Sequence, residues 1–210
     1  MEAVSGGPMK AIGVIVSAFF LAAGLARPAA AATWTAGGLT FSDELGGFRL
    51  VSVSGSGTIL DPIVVVEEIT GQGPVVMVIR HPRGLPAEGR ADAGWSMLSI
   101  AMIKIVFNRT GLNWAGFDVE LRELLDLPSP YGDGLSFDQT RSFGAPLGSD
   151  SFTVGESEDE PHDRVRFHGG NVRPGTSVRF NLYITDPSVA AEFYLLQHPH
   201  PRAPIAHNTF

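Results

Sequence analysis

Between Leu39 and Gln197 the chain is built of short segments in which large apolar residues alternate with polar ones, each segment closed by Gly, Pro, Asp or Ser. A period of two marks a strand with one buried face, whereas an amphipathic helix would repeat its apolar residues at three and four. The cleanest case is 177–185, where Val178, Phe180, Leu182 and Ile184 share one face. In 114–121 the residues Phe117, Val119 and Leu121 go one way and Asp118, Glu120 and Arg122 the other. A chain patterned like this must cover one side of each strand with another layer.

The same reading predicts strands over 39–41, 48–53, 63–69, 75–80, 164–167 and 192–197. The apolar run 95–107 has a mixed period, and the alternation of Ile103, Ile105 and Phe107 decides for a strand. The two runs at 63–69 and 75–80, separated by Gly71-Gln72-Gly73-Pro74, read as buried strands joined by a tight connection. Turns are expected at 54–57, 108–111 and 172–175, the last preset by Pro174 and Gly175. The expected fold is all-β: an antiparallel two-layer β-sandwich, Ig-like or jelly-roll-like, with few or no helices after the N-terminal leader. A closed barrel is the alternative.

The N-terminus is patterned differently. An uncharged apolar run from Ala11 to Leu25 follows Met9-Lys10 and leads into Ala29-Ala30-Ala31-Ala32. It is shorter than the ~20 apolar residues that cross a bilayer as a helix. This is the order of a secretory signal peptide, with Ala30 and Ala32 as the small-x-small pair and a cut before Thr33. Residues 1–32 are therefore expected to be a signal peptide, 33–197 the domain, and 198–210 a flexible tail rich in Pro and His. Met9 makes a better start than Met1, because it sets Lys10 directly before the apolar run. No stable membrane span is expected after cleavage, and the protein is expected in the periplasm or secreted.

Removing 1–32 takes away Lys10, Arg27 and Glu2, so the formal charge goes from −7 to −8. An acidic surface argues against nucleic acid as a partner, since that binding needs Lys and Arg to replace counterions. The chain has no cysteine, so an exported domain of this sequence must stand without disulfides. It is long enough to do so, because domains of ~150 residues already bury about two-thirds of their unfolded surface.

The segment 126–160 changes character, with many Pro and Gly and few apolar residues apart from 152–154, a candidate short strand. A long irregular loop on a rigid scaffold is where recognition concentrates. Within it Tyr131 is the best placed aromatic for stacking on a sugar, and "YGDGLSFD" sets Asp133 and Asp138 beside turn-forming glycines. These three are the candidate binding residues. With Asp150, Glu156, Glu158, Asp159, Glu160 and Asp163 they raise the possibility of calcium, a cation that takes six to eight oxygen ligands. EF-hand spacing is absent, and an acidic run is ordinarily a solvated one. His81, His162, His168, His198, His200 and His207 have no metal-ligand spacing. Neither a nucleophile elbow nor a cysteine is present, and Asp118 and Glu120 read as a polar strand face rather than a catalytic pair. Asn108-Arg109-Thr110 has the glycosylation acceptor form but reads as a turn. Trp114 and Tyr183 are expected in the core or at its margin.

The strings "NRTGLNWAGFDVEL" and "VRPGTSVRFNLYITD…EFYLLQHP" resemble β-sandwich ectodomains of exported bacterial proteins, some of them sorted by a PEP-CTERM signal. The matching stretches cover about a quarter of the mature chain. The resemblance implies a sandwich outside the cytoplasm and carries over no catalytic residue. The C-terminal Pro-Glu-Pro motif, apolar helix and basic cluster of the sorted subgroup are missing, so covalent sorting is not implied. The functional expectation is a non-catalytic binding or cell-envelope interaction module, with an envelope or extracellular protein or glycan as partner and no cofactor. Calcium-assisted carbohydrate binding is the first alternative and a secreted hydrolase the second.

Overall fold

A computed structural model describes residues 31–81, 98–129, 134–137, 147–158, 162–186 and 191–202. All regular structure among them is β. The strands are β1 (Thr33–Ala36), β2 (Leu39–Ser42), β3 (Phe48–Ser54), β4 (Ile63–Ile69), β5 (Val75–Arg80), β6 (Leu98–Asn108), β7 (Trp114–Arg122), β8 (Ser136–Phe137), β9 (Gly148–Ser149), β10 (Val154–Glu158), β11 (Asp163–Val172), β12 (Ser177–Asp186) and β13 (Glu192–Pro201). They form two open sheets packed face to face, as the alternation predicts. One runs β1-β2-β5-β13-β7-β11-β10; the other runs β3-β4-β6-β12-β8, with β9 also paired to β12. Among the described residues no helix is long and apolar enough to cross a membrane.

Pairing is antiparallel throughout except between β4 and β6. The exception follows from the path of the chain: β4 lies in the smaller sheet, β5 in the larger, and β6 returns to the smaller one. A strand that leaves for the opposite layer and comes back to the same sheet can pair parallel with the one it left. The tight connection 70–74 is therefore a crossing between layers and not a hairpin. Strand alternation alone cannot distinguish the two, because both place a turn between two buried strands.

The core lies between the sheets. Trp114, Phe117, Phe167 and Phe180 are fully buried or nearly so and join Phe152 in one aromatic cluster, with Phe117 and Phe167 each 4.8 Å from Phe180 between ring centres. Burying each such side chain contributes about 1.5–3 kcal/mol. Trp114 and Tyr183 are buried, as expected. The 126–160 segment departs from the expected loop: Leu135, Phe137 and Phe152 bury in the core, β8 and β9 each add a short ladder to β12, and β10 forms an edge strand on β11. Two-residue ladders are too short to show a period, which is why sequence patterning misses them. Phe152 itself precedes β10 and anchors the segment rather than joining a strand.

Two local features shape the larger sheet where β7 begins. Between His168 and Val172 the β11–β7 register slips at a bulge containing Gly169, whose φ is 75°, and Gly170, where a Cβ would stand 1.8 Å from the Ser151 carbonyl oxygen. Beside the same end of β7, Asn108 organises the turn that the glycosylation motif marks. Its buried Nδ2 donates to the carbonyls of Leu112 and Val172, while its Oδ1 accepts from the Thr110 N–H and hydroxyl. Thr110 Oγ1 in turn accepts from Trp114 Nε1. Every polar atom of the Asn108 side chain is engaged inside the fold, as the turn reading requires.

Candidate functional site

The outward face of β10, β11, β7 and β13 is where titratable side chains converge. Because Phe117, Val119 and Leu121 turn inward on β7, Asp118, Glu120 and Arg122 must point out. On β11 the same parity sends Val165 and Phe167 in and Arg164, Arg166 and His168 out. The antiparallel registers then align them in rows. Glu158 lies beside Arg164, Arg164 beside Glu120 and Glu120 beside Leu196. In the next row come Glu156, Arg166, Asp118 and His198, and in the third His168, Gly116 and His200. Acid and base alternate over β10, β11 and β7 in the first row, which ends on Leu196, and over all four strands in the second.

The contacts follow the rows and tie them together. Arg164 pairs with Glu158, and Arg166 reaches Glu158 at 3.4 Å and Asp118 at 3.8 Å. His200 Nε2 lies 3.0 Å from Asp118 Oδ2, and His168 Nε2 lies 3.4 Å from Glu156. Glu120 holds Arg122 at 2.6 Å, with His162 at 3.5 Å. The Arg164 hydrogen bond holds the Glu158 carboxyl below its usual range. Burial pushes the His198 imidazole down, the neighbouring His200 adds to that, and Asp118 opposes it. The two imidazole rings stand 4.4 Å apart. Between Pro74, Glu120, Arg122, Arg164, Leu196 and His198 the surface sinks into a shallow depression.

Of the three binding residues expected from sequence, Tyr131, Asp133 and Asp138 all lie outside the described residues, as do Asp159 and Glu160. Glu156 and Glu158 point along β10 toward His168, Arg164 and Arg166. Asp150 accepts from the Arg179 N–H and the Ser151 hydroxyl. No group of three His, Asp or Glu side chains among the described residues is arranged to hold a metal ion. Asp118 and Glu120 share a face, as expected, and each already holds a guanidinium and an imidazole.

Sequence reasoning missed the contribution of His198 and His200. They were expected in a tail, yet β13 runs on to Pro201 and pairs His198 with Asp118 and His200 with Gly116. The prolines hid this, since Pro in a run argues against a central strand. Beyond Gln197 strand β5 has ended, so Pro199 and Pro201 sit where β13 borders β7 alone. The alternation of Leu196, His198 and His200 against Gln197 and Pro199 was the available signal. No family model, curated protein or solved structure matches this chain.

Proposed function

We propose that this protein is an exported, non-catalytic binding module that meets a protein partner of the envelope or the extracellular space through the outer face of its seven-stranded sheet. The observation that carries this reading is the row pattern: on one open face acid and base alternate over three neighbouring strands in one row and over four in the next. Such a pattern favours a partner of complementary charge order and disfavours mismatched ones. A protein surface suits it better than a glycan. Sugar sites rest on exposed aromatic platforms, and the tyrosine of this face, Tyr194, is half-buried and donates its hydroxyl to Glu192 at 2.5 Å.

The test is cross-linking of the purified protein to envelope and culture-medium proteins, comparing Arg164→Glu/Arg166→Glu with Arg179→Glu on the opposite sheet. Loss of a specific adduct in the first variant alone supports the reading. An unchanged adduct pattern, or binding on a glycan array in place of protein adducts, overturns it.

Export is supported by the leader pattern, and the contacts of Ala32 bear on where the leader would be cut. Its N–H donates to Asp43 Oδ1 at 2.6 Å, its carbonyl accepts from the Asp43 N–H at 3.3 Å, and it packs against the core. A cut before Thr33 would remove these contacts. A cut before Ala32, with Ala29 and Ala31 as the small pair, would place the new α-ammonium on the buried Asp43 carboxylate. N-terminal sequencing of the protein from cell fractions should read Ala32. Retention in the cytoplasm with residues 1–31 intact would end the export reading.

A further inference from the structure

One ion pair lies wholly inside the core. Glu67 on β4 and Lys104 on β6 belong to the smaller sheet and Gln197 on β13 to the larger; all three side chains point into the core and are 0% exposed. Lys104 Nζ approaches Glu67 Oε2 to 2.5 Å, and Gln197 Nε2 donates to that same oxygen at 3.3 Å. The group is poorly satisfied as it stands. Among the described residues Glu67 Oε1 and Gln197 Oε1 have no hydrogen-bond partner, and Nζ makes no well-formed hydrogen bond despite its closeness to Oε2. Native interiors seldom keep three such atoms together, and each one needs a reason.

We propose that Lys104 and Gln197 form a covalent amide that joins the two sheets, with Glu67 as the proton carrier. The argument rests on placement. A single carboxylate oxygen touches both the amine that would attack and the amide nitrogen that would leave, the position a general acid and base must occupy. Burial pushes the Lys104 amine below its usual range, and the proton that it sheds passes to the adjacent Glu67 carboxylate, which leaves a neutral amine able to attack. The neutral Nζ then attacks Cδ of Gln197. Glu67 protonates Nε2 and accepts the proton that Nζ gives up. The Cδ–Nζ bond forms, the Cδ–Nε2 bond breaks, and Nε2 departs as ammonia with Glu67 again protonated. No oxidant or cofactor enters the balance.

The product removes the buried charge on the lysine and closes a covalent loop from β6 to β13. A loop of that length constrains the unfolded chain strongly, by the same logic as a disulfide. A domain without cysteine would thereby gain an inter-sheet bond that no reductant cleaves.

Intact mass under denaturing conditions tests this on the full chain as purified, after its N-terminus has been read. The expected mass is the sequence mass less one ammonia, with tandem spectra showing a branched peptide linking the 98–108 and 192–201 segments. Lys104→Met and Glu67→Gln should each restore the unmodified mass. A folded wild-type protein at its sequence mass overturns the proposal, and so does loss of one water, which would assign the bond to Lys104 and Glu67. The wild-type measurement needs no variant to fold.

Discussion

The outer face of the seven-stranded sheet and the interior cluster at Glu67 are built from the same chemistry, carboxylates set against cations, and the difference between them is water. Arg166 and Asp118 approach to 3.8 Å with the arginine half exposed, while Lys104 and Glu67 approach to 2.5 Å with neither exposed. Exposed pairs are screened and contribute ~0–1 kcal/mol. A buried pair is held by a low dielectric that also makes it expensive to form, at several kcal/mol per ion. The first arrangement can therefore be rearranged by a partner at little cost. The second must be satisfied internally, by pairing, by proton transfer or by reaction.

The largest expected effect breaks the interior. Lys104→Met removes the link between the sheets and leaves the Glu67 carboxyl buried without its lysine partner, and we expect a loss of about 3–5 kcal/mol. Urea unfolding with both midpoint and slope measured will show it; a loss below 1 kcal/mol would mean that water reaches the cluster. Next comes Asn108→Ala, which removes the donors to Leu112 and Val172 and the acceptor of Thr110. Loss of the donor to the buried Val172 carbonyl and of the one to the part-buried Leu112 carbonyl sets the cost at about 1–3 kcal/mol, measured in the same way.

On the surface the expected effects are smaller and of a different kind. Asp118→Asn should change stability by less than about 1 kcal/mol, while it weakens attachment of the partner seen in cross-linking. A larger loss of stability would show that the row is structural. The smallest effect is read by pH. Glu44 accepts from both terminal nitrogens of Arg80 and from Ser42, and those hydrogen bonds hold its carboxyl down at about 2. Its stabilisation is therefore complete above the ordinary 4.5 and is lost as pH falls from there toward 2. Because both side chains are more than a third exposed, the amount is under about 1 kcal/mol. Glu44→Gln should flatten that part of an acid-unfolding curve and leave neutral pH nearly unchanged.

Much of the fold was legible along the chain. The strands at 63–69 and 75–80 have the bounds that alternation indicates, and the inward set Val178, Phe180, Leu182 and Ile184 is buried as read. The rows of the outer face were half legible. Alternation put Asp118, Glu120 and Arg122 on one side of β7, but their neighbours are set by registers between strands far apart in sequence. The prolines at 199 and 201 concealed the strand that brings the histidines. Lys104 and Glu67 were visible only as breaks in apolar strands. A polar residue on an inward parity reads equally as a strand end, an edge or a turned face.

What the amino-acid sequence determined by itself is local: which residues alternate, where turns interrupt them, and hence that two layers must cover each other. A strand's period is a property of its own backbone. The parallel partnership of β4 with β6, the charge rows, and the meeting of Glu67, Lys104 and Gln197 were decided by tertiary structure. Each depends on which strands become neighbours, and that is settled by the packing of whole faces against one another in water.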